Sequence, residues 1–523
     1  MERYMDLLPF IKAGLRRDYK AKSDVPGMEA MYNVRPTPYG CISIAAPTNP
    51  FATQPTVSGG FPQLFLGTNV ALLADETELH YVDTYSWDRS TFVTVHDAAN
   101  RSQLASIGAD GGLWQFVDMG SLWALFNEEN MIFKSGRDVI EGNADKIYNN
   151  TLVRMKTGAF ITKRLMFGGF EPALFWPEDW NQRWIDWWEK TQLTSLGQVY
   201  ADQPTNSVGW TSIGLEDLWL WLDPEWAKQG YMTEYEVSAD GRQDYYWYLI
   251  YRNELGFCPM PWEGDVLRIE TVGSKAVVFG DNGIAFMIPI WEPTSTFRCA
   301  KVSDLGIMHR TAAGVGLNEC IFIRRDGSLC RITDNIEVLG YRWIFENYTD
   351  GEFSIVYDAV EDEWHITYWP TDEPPAAYIL TRSGLCNDLA YFISGGKANN
   401  GAFVATYLSY LPYGSGYSKI LLTTSSFHCD AKNHNTQYTV KRIEASATFS
   451  SDRMLESHLY TKDAPFDYQD LVSATEVNVD GVAYHGFIGR EFRIGLYNTA
   501  RSGSSEALDD RFSISNLRLV YEA

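Results

Sequence analysis

Short runs of alternating apolar and polar residues repeat from about residue 61 to 407, with glycine-containing polar turns between them. The clearest turns are Asn282-Gly283 and Asp326-Gly327. Asn-Gly and Asp-Gly dipeptides between such runs are a strong signal for β-hairpins. The two turns are about 45 residues apart, which is the length of a four-stranded propeller blade. The pattern therefore predicts a mainly β protein with a β-propeller over residues 61–407.

The hairpin at Asp326-Gly327 also predicts a strand register. A two-residue loop centred on this dipeptide would place Cys320 opposite Thr333 and Cys330 opposite Ile323. The two cysteines would not face one another, and no CxxC motif or zinc-ribbon spacing occurs among the seven cysteines. We therefore expect reduced thiols, as in a protein synthesised in a cytoplasm.

The strand pattern is interrupted over residues 171–262, where tryptophans recur at helical spacing. Trp184, Trp187 and Trp188 share one face of a predicted helix, so this segment is predicted to be a partly helical insertion in the propeller. The indoles either pack the helix onto a blade or form a platform for a partner or a sugar.

The two ends of the chain have different patterns. Residues 1–60 are rich in proline, which disfavours helix interiors and central strands, and predict an extended arm. This arm either reaches a neighbouring subunit or lies as a strap on its own domain. Residues 408–437 are rich in Gly, Ser and Thr and predict a linker, whereas the clean alternation over 438–523 predicts a C-terminal β-sandwich. The arm carries a basic cluster that either docks onto an acidic neighbour or is simply solvated: Arg16, Arg17, Lys20 and Lys22.

Composition narrows the possible functions. The 523 residues include 43 Lys and Arg against 67 Asp and Glu, which gives a net charge of −24. A chain this acidic repels phosphate, so it is not a generic nucleic-acid binder. With 45% hydrophobic and 14% aromatic residues it is not broadly disordered. The N-terminal residues lack the features of a signal peptide, and no apolar run is long enough to span a membrane.

Candidate chemistry is sparse. His428, Cys429, Asp430 and His434 do not have a standard zinc spacing, so a polar loop is the better interpretation. No P-loop or G-x-S-x-G motif occurs. We predict no catalytic, cofactor-binding or metal residues, and a protein that is not an enzyme. A glycoside hydrolase remains an alternative because the Trp-rich segment holds many carboxylates, of which no pair stands out: Glu178, Asp179, Asp186, Glu189, Glu216, Asp217, Asp223 and Glu225.

Five segments, in this order, resemble the propeller-type hub, stopper or nozzle proteins in the tails of short-tailed, podovirus-like bacteriophages. They are MYNVRPTPYGCISIAAP near the N-terminus, FGGF at 167–170, VGWTSIGLEDL at 208–218, GDVLRIETVGSKAVVFGDNGIAFMIP with the following GIMHRTAAGV and IFIRRDGSLCRI, and IVYDAVEDEWHITYW leading to YILTRSGLCN.

This resemblance implies a structural virion protein that forms a homohexameric ring below the portal and adaptor. Such a ring retains the genome and conducts double-stranded DNA through its lumen during ejection without reading its sequence. It implies contacts with other tail or fibre proteins and a location in the virion tail after synthesis in the cytoplasm of a bacterial host. Carboxylates lining the lumen would keep DNA from adhering. A propeller lectin or receptor-binding tail component that uses the Trp-rich faces is a second alternative.

Overall fold

A computed structural model describes most of the predicted β regions of the chain. The contacts between residues divide the described part of the chain into two compact units. Unit 1 contains residues 1–48, 360–392 and 407–523, and unit 2 contains residues 49–359 and 393–406. The structure describes residues 2–15, 27–44, 63–68, 70–74, 79–81, 93–94, 113–120, 122–128, 131–135, 153–172, 205–211, 213–214, 256–291, 296–359, 361–370, 376–387, 390–397, 403–409, 420–429, 436–462, 470–501 and 511–522.

The N-terminal residues form short strands and one short helix, and all of these belong to unit 1. Helix α1 has Pro9 in its first turn, where a missing backbone N–H costs nothing. These elements are β1 (Arg3–Asp6), α1 (Leu8–Lys12), β2 (Met28–Tyr32), β3 (Val34–Thr37) and β4 (Gly40–Ser43).

Unit 2 holds the succession of short strands that the sequence pattern predicts. Its described elements, in chain order, are β5 (Gln63–Leu66), β6 (Ala71–Ala74), β7 (Leu79–Tyr81), β8 (Val93–Thr94), β9 (Gln115–Asp118), β10 (Leu122–Phe126), β11 (Met131–Ser135), β12 (Val153–Ile161), β13 (Arg164–Pro172), β14 (Ser207–Trp210), β15 (Gly256–Pro259), β16 (Val266–Val272), β17 (Lys275–Gly280), β18 (Ile284–Ile290), β19 (Thr296–Ser303), β20 (Ala313–Val315), β21 (Cys320–Ile323), β22 (Leu329–Ile332), β23 (Ile336–Gly340), α2 (Arg342–Phe345) and β24 (Gly351–Asp358).

The last third of the chain continues as strands, most of them in unit 1. They are β25 (Glu363–Pro370), β26 (Ala376–Leu380), β27 (Leu385–Asn387), β28 (Ala390–Lys397), β29 (Phe403–Ser409), β30 (Ile420–Thr424), β31 (Tyr438–Thr448), β32 (Arg453–Lys462), β33 (Asp470–Glu476), β34 (Val482–Gly489), β35 (Glu491–Ala500) and β36 (Ser513–Glu522).

Unit 2 is a β-propeller built from consecutive antiparallel sheets. The sheets have the orders β5-β6-β7-β8, β11-β10-β9, β12-β13-β14-β15, β16-β17-β18-β19 and β20-β21-β22-β23. Their first strands are neighbours, since β12 contacts β9 and β16, and β16 contacts β20, which contacts β24. The mainly β prediction and the propeller prediction are therefore confirmed.

The hydrophobic core of unit 2 lies between successive sheets. One cluster joins the sheet of β12 to that of β16 and includes Met166, Val208 and Val278, all fully buried. Another cluster joins the sheet of β5 to that of β9, with Leu72 and Leu125 at its centre. Burying such aliphatic side chains contributes about 1.5–3 kcal/mol each, so the inter-sheet clusters hold the blades together.

Two strands of the propeller lie inside the segment predicted as an insertion at 171–262. Strands β14 and β15 are the third and fourth strands of the sheet that begins with β12. Phe167 of β13 pairs with Gly209, and Val208 pairs with Cys258. The Trp-rich sequence is therefore divided by β14 into two parts, one before and one after that strand.

The predicted register of the hairpin between β21 and β22 is wrong by one residue. Phe322 pairs with Cys330, and Cys320 pairs with Ile332 rather than Thr333. The loop is one residue longer than predicted because Gly327 adopts a left-handed φ of 83° and its N–H bonds to the Arg324 carbonyl. The cysteines still do not face one another, and none of the seven forms a disulfide.

Most described strands of unit 1 form two large sheets that combine both ends of the chain. One has the order β3-β4-β36-β31-β34, with β1 also paired to β36, and the other contains the run β25-β26-β27-β2-β30-β35-β32-β33. The described N-terminal residues thus pair with the C-terminal strands. Residues 360–392, which the sequence placed in the propeller, also belong to this unit.

Within the described residues, no helix has the length and apolar character needed to cross a membrane.

Candidate functional site

A cavity of about 410 Å³ lies in unit 2 among the first strands of the blades. Residues of β5, β9, β16, β20 and β24 line it. Alternate residues of a strand point to the same side, so Arg268 and Glu270 of β16 face the cavity together. Polar side chains from several blades converge at this cavity, which is therefore the candidate site.

Gln115 of β9 is the central hydrogen-bonding residue beside the cavity. Its Nε2 donates to the carbonyl oxygens of Ile269, at 2.7 Å, and Gly158, at 3.0 Å, and lies 3.3 Å from Glu270 Oε1. Its Oε1 accepts a bond of 2.7 Å from Thr157 Oγ1. Gln115 and Thr157 are both buried, so these bonds satisfy groups that would otherwise be costly to bury. Strands β9, β12 and β16 are joined by this one amide.

The cavity wall carries one close ion pair. Arg268 Nε lies 2.6 Å from Glu270 Oε1, and Arg268 Nη1 donates to the carbonyl oxygen of Arg310 at 3.2 Å. Burial raises the pKa of Glu270, although the Arg268 charge and the hydrogen bonds from Arg268 and Gln115 oppose that shift. The pair therefore brings no net charge to the cavity when both groups are ionised.

A second guanidinium, that of Arg310, is almost fully buried at 5% exposure. It donates to the carbonyl oxygens of Phe126, at 3.3 Å, and of Leu113 and Lys156, each at 3.5 Å. Burial, followed by the nearby charge of Arg268, lowers the pKa of Arg310 to about 10. Arg310 therefore stays charged near neutral pH and ties three backbone segments together.

Glu352 bonds to the same backbone segment as Arg310, at Leu113. Its Oε2 accepts a bond of 2.7 Å from the backbone N–H of Leu113, whose carbonyl oxygen receives Arg310. Burial raises the pKa of Glu352, and the Leu113 bond and the Arg310 charge oppose the rise. Leu113 is therefore fixed by a carboxylate and a guanidinium at its two backbone groups.

His309 and Thr311 have the residue types of a base and a nucleophile, and Thr311 lines the cavity. His309 Nδ1 lies 2.8 Å from Thr311 Oγ1, and Thr311 Oγ1 also accepts a bond of 2.8 Å from the Phe353 N–H. Burial, followed by the Arg310 charge, lowers the pKa of His309 to about 4. A general base works best with a pKa near the working pH, so this pair is better suited to joining the segment before β20 to β24 than to catalysis.

The charged and polar side chains around the cavity are held in fixed positions, because its described ionisable groups are bonded to other groups of the same chain. We find no described pair of groups at this cavity in the arrangement of an activated nucleophile or of an acid and base.

The residues that the sequence singled out for docking are not among those described. Arg16, Arg17, Lys20 and Lys22, and likewise Trp184, Trp187 and Trp188, lie outside the described residues, so these predictions are untested. The carboxylates considered for glycoside hydrolysis also lie outside them.

Part of the histidine and cysteine cluster is described. His428 Nδ1 lies 3.0 Å from the carbonyl oxygen of Arg490, and the carbonyl oxygen of Cys429 accepts a bond of 2.9 Å from the Tyr521 hydroxyl. Asp430 and His434 lie outside the described residues. His428 and Cys429 therefore have local structural roles in unit 1.

The sequence did not identify Gln115, Thr157 or Arg310 as central residues. Gln115 was detectable as a polar residue between Trp114 and Phe116 in an apolar strand. Arg310 lies among small and apolar residues in the segment GIMHRTAAGV, but arginine is seldom fully buried, so its burial was not predictable from this segment. Their partners come from other blades, which no local pattern predicts.

Comparison with known proteins gives a limited result. No protein-family model matches this sequence, and no curated protein matches it significantly. Among solved structures, the WD40 domain of Pan2 from Neurospora crassa matches with a TM-score of 0.32 and 6% identity, over 65% of this chain and 84% of that chain. The extracellular domain of the one component system BT4673 from B. thetaiotaomicron matches with a TM-score of 0.30 and 8% identity, over 91% and 57% of the two chains. The N-terminal domain of Nup159 matches with a TM-score of 0.27 and 11% identity, over 62% and 75%. At TM-scores this low, the similarities support no conclusion about function.

Proposed function

We propose that this protein is a structural subunit of a bacteriophage tail, which forms a hexameric ring below the portal and adaptor and conducts DNA during ejection. The resemblance of the five sequence segments suggests this function. The observation that carries it is the interior of unit 2, where Arg268, Glu270, Arg310 and Glu352 are each bonded to groups of the same chain. Such a centre suits a scaffold that acts through its surfaces.

The charge of the chain agrees with passive conduction of DNA. Six subunits with a net charge of −24 each would form a strongly acidic ring. Carboxylates around a lumen repel phosphates, so DNA would pass without adhering and without sequence recognition. A ring also needs contacts between different surface patches that close by rotation, and in this proposal the arm and the Trp-rich segment supply surfaces for them.

The direct test is imaging of the purified protein, alone and mixed with the portal–adaptor complex of the same virus. We expect annular particles with sixfold symmetry, either free or only on the complex. Monomers that never bind the complex at any concentration would contradict the proposal.

The lectin and glycoside hydrolase alternatives have a separate test. Titration of glycans should leave tryptophan fluorescence unchanged, and polysaccharides should yield no new reducing ends. A fluorescence change that is lost on Trp184→Ala, Trp187→Ala and Trp188→Ala would favour a lectin instead. None of the described residues supports either alternative.

A further inference from the structure

Strands β15 and β19 are the fourth strands of consecutive sheets in unit 2. Two aromatic side chains near these strands make a contact between the two sheets. Trp210 of β14 and Phe297 of β19 meet edge to face, with ring centroids 5.4 Å apart. Trp210 is paired with Gly256 of β15, where a Cβ atom would collide with the indole. The glycine therefore leaves room for the indole to reach the neighbouring sheet.

Two cysteines occupy the next positions on the same sides of these strands. Cys258 lies two residues after Gly256, and Cys299 lies two residues after Phe297. Residues two apart on a strand share a face, so both side chains point to the junction marked by Trp210 and Phe297. Both pack against the same hydrophobic cluster. Cys258 Sγ also lies 3.4 Å from the carbonyl oxygen of its neighbour Pro259.

The pair differs from the other cysteines in exposure and in acidity. Cys258 and Cys299 are partly exposed, whereas the other five cysteines are buried. The hydrogen bond from the Cys299 thiol lowers the pKa of Cys258 to about 7, and burial opposes this shift. The same hydrogen bond, with burial, raises the pKa of Cys299. One thiol of the pair can therefore ionise near neutral pH beside a second thiol that stays protonated.

Three of the buried cysteines are poor nucleophiles. Burial raises the pKa of Cys330 to about 11, and that of Cys41 and Cys429 to about 12. Thiolates, not thiols, attack disulfides, so these cysteines should react slowly in the folded protein.

We propose that Cys258 and Cys299 form an oxidisable dithiol that closes to a disulfide between consecutive blades, with a small disulfide such as oxidised glutathione as oxidant. The Cys258 thiolate attacks one sulfur of the small disulfide, which forms a mixed disulfide and releases one small thiolate. The Cys299 sulfur, on losing its proton, then attacks the Cys258 sulfur and releases the second small thiol. The two protein thiols lose two electrons and two protons, and the small disulfide is reduced to two thiols.

The first measurement is intact-mass spectrometry of the folded protein during incubation with oxidised glutathione at neutral pH. We expect loss of two hydrogens without a lasting glutathione adduct, and a Cys258–Cys299 cross-link in the non-reduced peptide map. Cys258 should react about a hundredfold faster than Cys330, because its larger thiolate fraction outweighs its lower intrinsic nucleophilicity.

Single serine variants separate the steps. Cys299→Ser should accumulate glutathione on Cys258, whereas Cys258→Ser should form neither adduct nor cross-link at this site. Cys330→Ser is the matched control and should form the cross-link at the rate of the unmodified protein. The proposal is overturned if Cys258 keeps its adduct in the unmodified protein, or if Cys258 reacts no faster than Cys330.

Discussion

A buried hydrogen bond between Thr157 and Gln115 connects two blades in the interior of the propeller. Thr157 Oγ1 donates to Gln115 Oε1 at 2.7 Å and accepts the backbone N–H of Ile269 at 2.8 Å. The hydroxyl thus stands between an amide of one blade and a backbone group of another. Because both side chains are buried, water is a poor substitute for either partner.

Removal of either group should destabilise unit 2. In Gln115→Leu the carbonyls of Gly158 and Ile269 lose their donor, and in Thr157→Val the Ile269 N–H loses its acceptor. Each should lower the free energy of unfolding by about 1–3 kcal/mol. The double variant should cost less than the sum, because the two residues share a bond.

Chemical denaturation monitored by tryptophan fluorescence measures these changes. Thr333→Val is the control, since Thr333 is exposed in the same unit. It should alter stability by less than about 0.5 kcal/mol. A fully additive double variant would contradict the shared network.

Gly327 should tolerate no side chain. Its φ of 83° strains any other residue, and an added Cβ would lie 2.5 Å from the Cα of Glu346. Gly273 is a matched comparison, since its φ of 60° is also left-handed but nothing lies within 4 Å of an added Cβ. Gly273→Ala should cost about 1–2 kcal/mol from backbone strain alone. Gly327→Ala should cost clearly more, and equal melting temperatures of the two variants would show that the collision is absent.

Asp326 should make the same hairpin sensitive to acid. Arg324 lies 2.6 Å from Asp326 Oδ2, and its hydrogen bond lowers the pKa of Asp326 to about 2. Because the folded pKa is depressed, the stabilisation is complete above the pKa of an unfolded aspartate, about 4. It is lost as the pH falls through about 2.

Asp326→Asn tests this pH dependence, because the amide oxygen can still accept the Ser328 N–H while the charge is removed. The variant should be about 1 kcal/mol less stable at pH 6, after allowance for partial exposure of the pair. The difference should shrink towards zero near pH 2. Arg324→Gln should abolish most of the same pH-dependent contribution, and a difference independent of pH would exclude the ion pair as its source.

The sequence predicted local features of the fold better than long-range ones. The turns at Asn282-Gly283 and Asp326-Gly327 follow from residues adjacent in the chain, so their hairpins were predictable. The one-residue error in register arose because the left-handed Gly327 lengthens the loop. Pairing of β1 with β36 joins opposite ends of the chain, and no local pattern contains that information.

The same limit applies to the candidate site. The sequence analysis did not identify Gln115, whose partners Thr157 and Ile269 come from other blades. The proximity of Cys258 to Cys299 likewise depends on packing between two sheets. Spacing in the sequence offered no sign of either relationship.

The basic cluster of the N-terminal arm provides a test of assembly. In the proposed function, Arg16, Arg17, Lys20 and Lys22 dock onto an acidic neighbour above the ring. Reversal of all four to glutamate should weaken binding to the portal–adaptor complex at least about tenfold, because like charges then face one another. Binding of the unmodified protein should also weaken with salt, since screening shortens the range of the attraction.

A matched control variant reverses the charge of four basic residues elsewhere on the chain. Arg342 and Arg501 have side chains that are 64% and 57% exposed. Their reversal to glutamate, together with reversal of the partly exposed Lys301 and Lys441, changes the net charge by the same amount. Co-sedimentation with the complex measures both variants. Equal losses would attribute the effect to net charge, whereas unchanged binding by the arm variant would leave the cluster as a solvated surface.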